Sequence, residues 1–312
     1  MTRELTNSMR NKFASCHRAF KFCYEDLKRP IKTSDALNFG TAMHSMLEAY
    51  WQGKRPFVPN MEDGYTTNTL LALFEGYQKR WQDSDRMTYE TIGTEMRFDA
   101  PLMNPETGGV SKTFHLSGKI DALAKEKTTG KVVIVEHKTT SQDIGPGSDY
   151  WRKLPIDGQV SGYYCGAEAL GHEASTCLYD VIRKPTIKPY KATPEDKRKY
   201  NKDGSLSKAC REFDETPDEW YERLSADIAS RPDYYYARIE ISRSDNDLLE
   251  YLFDMWAVSR EIADAERMNR WSRNSQACSV YGTCEYFGVC TGESNLDDVT
   301  LFRKAEKENE EL

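Results

Sequence analysis

The chain has 312 residues, of which 38% are hydrophobic and 30% charged, and its formal net charge is −7. This length suffices for a sizeable core, and a mean hydropathy of −0.74 is typical of a polar chain. No apolar run is long enough to span a membrane, and the N-terminus lacks the apolar stretch of a secretory signal. We therefore expect a cytoplasmic protein whose eight cysteines serve metal binding or catalysis rather than disulfides.

Hydrophobic spacing predicts helices before, between and after a group of strands. The predicted helices cover residues 7–27, 36–52, 65–83, 149–170, 216–230 and 243–270. The predicted strands cover residues 90–102, 113–126, 131–140 and 175–184. From Ser272 onward the sequence is loop-like, and the charged residues 303–312 are expected to fray. This order predicts an α/β fold with a mixed central sheet flanked by helices.

Positive charge is concentrated in two segments of this acidic chain. Residues 183–211 carry ten Lys/Arg and three Asp/Glu, a local charge of +7. Residues 1–32 carry eight Lys/Arg and three acids. Basic clusters of this kind are typical of a polyanion contact, although a solvated lysine-rich loop would have the same composition.

Two carboxylates and an amine converge in the predicted hairpin of residues 113–140. The turn at 125–131 sets a pairing that places Asp121 opposite Glu136, and Lys138 follows on the same face of its strand. Such a triplet is often only a solvated ion-pair ladder. Here it follows the run Val132–Val135, which is expected to be buried on both faces, and charges at the end of a buried strand are costly unless they serve a function. Oxygen ligands of this kind suit Mg²⁺ or Mn²⁺.

Gly118-Lys-Ile-Asp121 and Glu136-His-Lys138 together resemble the core motif of the PD-(D/E)XK nuclease superfamily. Two flanking motifs are similar to those of its RecB-like branch. One is a GxxxH helix at Gly40–His44, and the other is a QxxxY helix at Gln159–Tyr163. Each flanking pair is spaced to share one helix face. The four motifs also follow the order of that branch, and Glu95 loosely matches a further acidic position.

This resemblance implies a restriction-endonuclease-like α/β fold with an N-terminal helical region and a C-terminal cysteine-rich clasp. It implies roles for seven site residues. The implied ligands of Mg²⁺ or Mn²⁺ are His44, Asp121, Glu136 and the backbone carbonyl of His137. The implied catalytic residues are Asp121, Glu136, Lys138, Gln159 and Tyr163.

Three cysteines, Cys278, Cys284 and Cys290, lie near the C-terminus, with five residues between neighbours. A zinc knuckle usually contains a CxxC pair, which is absent from this sequence. The segment around Cys16 resembles the N-terminal part of RecB-like nucleases that hold an iron–sulfur cluster. The resemblance implies a [4Fe–4S] cluster on Cys16, Cys278, Cys284 and Cys290. Zn²⁺ remains an alternative occupant, and Cys23 remains an alternative to Cys16.

The resemblance divides the chain into four regions: a helical region 1–90, a nuclease core 91–185, a basic flap 186–215, and a helical and cysteine-rich region 216–312. The flap would grip nucleic acid through charge and stacking. Its candidate contacts are Lys188, Tyr190, Lys191, Lys197, Arg198 and Lys199.

These features together predict a metal-dependent DNA nuclease. We expect an exonuclease that acts on single-stranded or free-ended DNA in recombination, replication or repair, with phage or CRISPR-type systems as a setting. Recombination or replication proteins are expected partners. Two alternatives stay open: a DNA-binding partner with a nuclease fold but little turnover, and a hydrolase of small phosphate esters.

Overall fold

The computed structural model describes residues 2–32, 35–280, 282–310 and 312, with the backbone alone at residue 36. Its strands are β1 (Arg3–Leu5), β2 (Lys28–Pro30), β3 (Tyr89–Met103), β4 (Val110–Glu126), β5 (Val132–Thr140), β6 (Ala174–Arg183), β7 (Tyr236–Ile241) and β8 (Phe302–Lys304). Its α-helices are α1 (Asn7–Ser15), α2 (His17–Phe20), α3 (Asp35–Trp51), α4 (Gly64–Thr88), α5 (Gly158–Ala169), α6 (Pro217–Ser230), α7 (Pro232–Tyr235), α8 (Asp245–Met268) and α9 (Phe287–Thr291).

Six strands form one mixed sheet in the order β1-β4-β5-β6-β7, and β3 pairs with β4. β4 is antiparallel to β3 and β5, whereas β5 and β6 are parallel. Helices flank this sheet, so the predicted mixed α/β, restriction-endonuclease-like fold is confirmed. Among the described residues, no helix combines the length and apolar character needed to cross a membrane.

The predicted hairpin register is confirmed by the pairing of β4 with β5. Ala122 lies opposite Val135, and Lys125 lies opposite Val132. Residues 133–137 of β5 are buried, as the run of β-branched residues predicts. Glu136 is therefore buried together with the apolar residues of the strand, and partial exposure begins only at Lys138.

The first predicted helix, over residues 7–27, is interrupted. α1 ends at Ser15, Cys16 is extended (φ −162°, ψ 115°), and the chain continues through α2 into a π-helical turn at Lys21–Glu25. Tertiary contacts set this break. The N–H of Arg18 donates to the Ser272 carbonyl, and Asn274 donates to the Ser15 carbonyl. The hydrophobic pattern alone does not show these partners.

The predicted helix over residues 149–170 is two helices. A 3₁₀-helix covers Asp149–Ile156 and contains Pro155, which cannot donate a backbone hydrogen bond. Asp157 then caps α5 by accepting hydrogen bonds from the N–H groups of Gln159 and Val160. This cap fixes Gln159 in the first turn of α5.

A glycine lets α5 lie close to the sheet. A Cβ added at Gly166 would fall within 2.6 Å of Cγ in the Phe98 ring on β3. No larger residue fits there without a shift of the ring or the helix.

The two ends of the chain are packed together. β2 and β8 form a small antiparallel sheet. Beyond β8, Asn309 is fully buried, and its Nδ2 donates to Glu4 Oε2 at 2.9 Å. The expectation that residues 303–312 fray is therefore wrong for the described part of this segment. Its polar side chains find partners at the N-terminus that only the folded chain brings near.

Candidate active site

β4 has two partners along the edge opposite β3. β1 pairs with residues 114–116 and β5 pairs with residues 122–125, so residues 117–121 lie between the two ladders. Asp121 stands where the β5 ladder stops. Its Oδ2 accepts the backbone N–H of His137 at 2.9 Å, so a side chain replaces the next ladder hydrogen bond. This exchange brings Asp121 to the charged end of β5.

Glu136 is the most deeply buried candidate residue, with 1% of its surface exposed. Its Oε1 forms an ion pair with the Lys138 ammonium, whereas Oε2 has no hydrogen-bond partner among the described residues. Burial and the nearby Asp121 carboxylate raise the pKa of Glu136 to about 7. The carboxylate thus lies where additional positive charge would stabilise its ionised form.

Asp121 is held in its ionised form, because its pKa is shifted in the direction opposite to that of Glu136. Burial alone would raise the pKa of Asp121, but His44 and the His137 N–H outweigh it and lower the pKa. His44 Nδ1 lies 3.5 Å from Asp121 Oδ2. Burial opposes the protonation of His44, yet the hydrogen bond and charge of Asp121 raise its pKa. The pair of carboxylates therefore contains one firmly ionised member and one that lacks sufficient countercharge.

Lys138 begins a chain of polar contacts that runs onto α5. Its Nζ donates to Gln159 Oε1 at 2.9 Å, and Gln159 Nε2 donates to the Tyr163 hydroxyl at 2.6 Å. Burial lowers the pKa of Lys138, but Glu136 more than compensates and keeps the amine protonated. The i,i+4 spacing on α5 thus holds the ammonium in place.

These side chains face a cleft of about 760 Å³. His44, Asp121, Lys138, Gln159 and Tyr163 line it, whereas the Glu136 and His137 side chains are buried outside the lining. Further lining residues were not predicted as site residues: Glu48, Glu95, Lys119, Glu310 and Leu312.

Three of these five residues had a sequence signal, since Lys119 lies inside the motif that ends at Asp121, and two did not. Glu48 lies one helical turn after His44 on α3, and Glu95 matched the family pattern loosely. Glu95 adopts a left-handed backbone (φ 50°) and pairs with Lys119 at 2.5 Å. Glu310 and Leu312 reach the cleft only because the C-terminal segment packs on the N-terminus, which no local pattern indicates.

The side chain of His137 points into a second polar cluster on the other face of the sheet. Its Nδ1 lies 3.3 Å from Oδ2 of Asp180, which is fully buried and pairs with His137 in the β5–β6 register. Asp180 Oδ2 also accepts the Tyr77 hydroxyl at 2.5 Å and lies 3.1 Å from Arg238 Nη2. Arg238 also binds Asp85, with its Nη1 2.5 Å from Oδ1. We call the cluster His137, Asp180, Arg238, Asp85 and Tyr77 the rear network.

The donor set of the cleft suits a hard divalent cation. The carboxylates of Asp121 and Glu136 are the type of ligand such an ion takes, and Oε2 of Glu136 is buried without a hydrogen-bond partner among the described residues. Within the described residues, however, no three His, Cys, Asp or Glu side chains already form a coordination sphere. The Lys138 ammonium supplies the countercharge against Glu136.

Three of the predicted cluster cysteines share a small cavity. Cys16, Cys278 and Cys284 line about 150 Å³ between the end of α1 and residues 274–285. Cys290 does not line this cavity, but Cys16, Cys284 and Cys290 pack against the same buried apolar cluster. As in the cleft, the described residues show no preformed coordination sphere here.

Cys23 has a different environment from Cys16. It is buried, and its sulfur accepts a hydrogen bond from Arg29 Nη1 at 2.8 Å. Cys23 is also absent from the lining of the cysteine cavity. The arrangement groups Cys16, rather than Cys23, with the C-terminal cysteines.

The basic flap starts at the same end of the sheet as the cleft but does not line it. Lys184 N–H donates to the Thr140 carbonyl just beyond Lys138 on β5. None of the six flap residues predicted to bind nucleic acid is among the described residues that line the cleft. Several have local partners: Lys191 pairs with Asp214 at 2.9 Å, and Arg198 donates to the Glu212 carbonyl.

The central mixed sheet flanked by helices is that of the restriction-endonuclease-like class. The family model described as the PD-(D/E)XK nuclease superfamily matches residues 4–291, so the chain belongs to that superfamily. Membership of this superfamily implies a hydrolytic nuclease, and its members typically use Mg²⁺ or Mn²⁺. No curated protein sequence matches the chain.

Two solved structures are similar to this chain at low identity. One is a protein from Eubacterium rectale provisionally described as an exonuclease, with 12% identity and a TM-score of 0.49, covering 94% of this chain and 89% of its own. The other is the protein SSO0001, with 14% identity and a TM-score of 0.27, covering 62% and 60%. At these values neither likeness assigns an activity to this chain.

The rear network predicts a large stability effect for Arg238→Met. The change leaves Asp180 and Asp85 buried without their shared cation, and the free energy of unfolding should fall by about 3–5 kcal/mol. Chemical denaturation monitored by circular dichroism would measure it. The control is Arg231→Met, which breaks the more exposed Arg231–Asp227 pair and should cost less than about 1 kcal/mol. Equal losses in the two variants would contradict the role of the network.

Proposed function

We propose that the protein is a metal-dependent deoxyribonuclease, acting as an exonuclease on single-stranded or free-ended DNA. The observation that carries this proposal is the convergence of Asp121, Glu136 and Lys138 at the end of a buried strand, with Gln159 holding the lysine. The catalytic assignments of these residues belong to the proposal. It also assigns the activity to the cytoplasm, in recombination, replication or repair.

The charge of the cleft supports metal dependence. Asp121 and Glu48 line it without an ion pair to a described lysine or arginine, whereas Glu95, Glu310 and Glu136 pair with Lys119, Arg303 and Lys138. A phosphodiester that approaches Asp121 therefore meets negative charge that a bound cation would offset.

His44, Asp121 and Glu136, with the backbone carbonyl of His137, would hold one or two Mg²⁺ or Mn²⁺ ions. Such an ion, when bound, polarises the scissile phosphate and lowers the pKa of an attacking water. Lys138, kept protonated by Glu136, orients that water and offsets charge on the phosphate as it becomes pentacoordinate. Gln159 fixes the Lys138 ammonium, and Tyr163 fixes Gln159.

The same proposal includes a [4Fe–4S] cluster on Cys16, Cys278, Cys284 and Cys290, with Zn²⁺ as the alternative occupant. The support is the shared cavity and the chemistry of four thiols, which is the ligand set of such a cluster. Bound there, the group would join α1 to the C-terminal segment. We also propose that the flap residues contact DNA outside the cleft.

Lys138→Ala tests the nuclease proposal. We expect cleavage of end-labelled single-stranded DNA in Mn²⁺ to fall by about 100- to 1,000-fold, because a positioned charge in a water-poor site is lost. Binding of the same DNA should change little, whereas the unfolding temperature should fall because Glu136 loses its partner, so cleavage is compared at a temperature at which circular dichroism shows the variant folded. The control is Lys131→Ala, an exposed lysine at the other end of β5, which should retain full activity.

Unchanged cleavage in Lys138→Ala would overturn the assigned role of the lysine. Hydrolysis of small phosphate esters without any cleavage of DNA would instead favour a different hydrolase.

Cys16→Ser tests the cluster proposal separately from the nuclease proposal. Protein purified without oxygen should show visible absorbance and about four irons per chain. Cys16→Ser should lose both, while Cys23→Ser should keep them because Cys23 lies outside the cysteine cavity. A colourless wild-type protein with one zinc per chain would remove the cluster and leave the nuclease proposal standing.

A further inference from the structure

A second pocket lies away from the catalytic cleft, where α2 and the π-helical turn after it meet the residues that follow α8. It has a volume of about 530 Å³ and is lined from segment 17–22 on one side and segment 269–272 on the other. No described residue lines both this pocket and the cleft. It is therefore a separate feature of the surface.

The pocket is positively charged on a chain with a net charge of −7. Arg18, Lys21 and Arg270 line it together with His17, and the described lining contains no acidic residue. Lys21 is neutralised, because its Nζ lies 2.7 Å from both oxygens of Asp26. Two arginines remain: Arg18 and the exposed Arg270 form no ion pair within the described part of the chain.

The pocket is built on fixed backbone. The N–H of Arg18 donates to the Ser272 carbonyl at 3.0 Å, and its Nε donates to the Trp271 carbonyl at 3.1 Å. Trp271 is buried and stacks on Phe20, with the ring centroids 5.9 Å apart. These contacts hold the Arg18 side chain against the 269–272 turn. An anion that binds there does not have to order the Arg18 side chain, so binding avoids that entropic cost.

Guanidinium groups that are held in place and form no ion pair can donate charge-assisted hydrogen bonds to the oxygens of a phosphate. α1 joins the pocket to the cleft: Asn7 and Ser8 line the cleft, and the nine residues of the helix rise by about 14 Å to the pocket. A single strand of a few nucleotides can reach both places.

We propose that the Arg18–Arg270 pocket binds a backbone phosphate of single-stranded DNA, as a second contact for the strand that enters the catalytic cleft. The inference rests on the proposed deoxyribonuclease function. It assigns Arg270 to binding and gives it no part in the bond-breaking step.

Arg270→Ala tests this pocket, with Arg267→Ala as the matched control. Arg267 lies on the last turn of α8, is exposed, and pairs with Asp264 outside the pocket. Binding of a fluorescent single-stranded oligonucleotide is measured by anisotropy over a range of salt concentrations, with EDTA present to prevent cleavage. We expect weaker binding for Arg270→Ala and a salt slope smaller by ~0.7, the value for one lost phosphate contact on a single strand. Arg267→Ala should match the wild type in both.

Equal affinity and equal salt slope for Arg270→Ala and Arg267→Ala would overturn the proposal that the pocket binds phosphate. Cleavage of DNA by the wild type would in that case still support the proposed nuclease function. If the wild type neither binds nor cleaves DNA, both the pocket and the proposed function are wrong. The proposal places both guanidinium groups on one phosphate, so a double variant, Arg18→Gln with Arg270→Ala, should bind more weakly than Arg270→Ala while its slope stays ~0.7 below that of the wild type. Its unfolding temperature separates this loss from misfolding.

Discussion

The burial of Glu136 beside Asp121 is the constraint on which the site depends. Two carboxylates in a buried environment repel each other. The His137 N–H and His44 stabilise the ionised form of Asp121, and the Lys138 ammonium stabilises that of Glu136. Even so, the pKa of Glu136 is raised to about 7, mainly by burial and then by Asp121. Apolar residues at these positions would give equal or greater stability than the buried charges. This is the physical reason to regard the strand end as a functional site.

The surrounding elements keep that strand end in place. On the other face of the sheet, Arg238 neutralises Asp180, which faces His137, so the strand that carries Glu136 is anchored through its neighbour. On the cleft side, Gly166 allows α5 to approach Phe98, and the cap at Asp157 fixes Gln159 above Lys138. The site thus depends on buried polar pairs as much as on apolar packing. Such pairs are specific because breaking one leaves a charge without a partner.

Local sequence patterns predicted four of the six strands of the main sheet, the hairpin register and the proximity of Asp121, Glu136 and Lys138, because each depends on strand alternation or turn position; β1 and β7 were missed. Gln159 and Tyr163 were identified by the motif resemblance, and α5 does hold Gln159 against Lys138 and Tyr163 against Gln159. Patterns failed where distant segments decide the structure. The break at Cys16 depends on Ser272 and Asn274, and the burial of Asn309 depends on Glu4. Asp180 had a local signal, an acid inside an apolar strand, but its partner Arg238 lies far along the chain.

The central claim is that Asp121 and Glu136 together bind a divalent cation. Diffraction from crystals soaked in Mn²⁺, recorded near the manganese absorption edge, measures this directly. The account predicts an anomalous peak between the two carboxylates and next to His44, which disappears in crystals of Asp121→Asn. A wild-type crystal that binds Mn²⁺ only elsewhere, with the Glu136–Lys138 ion pair intact, would contradict it.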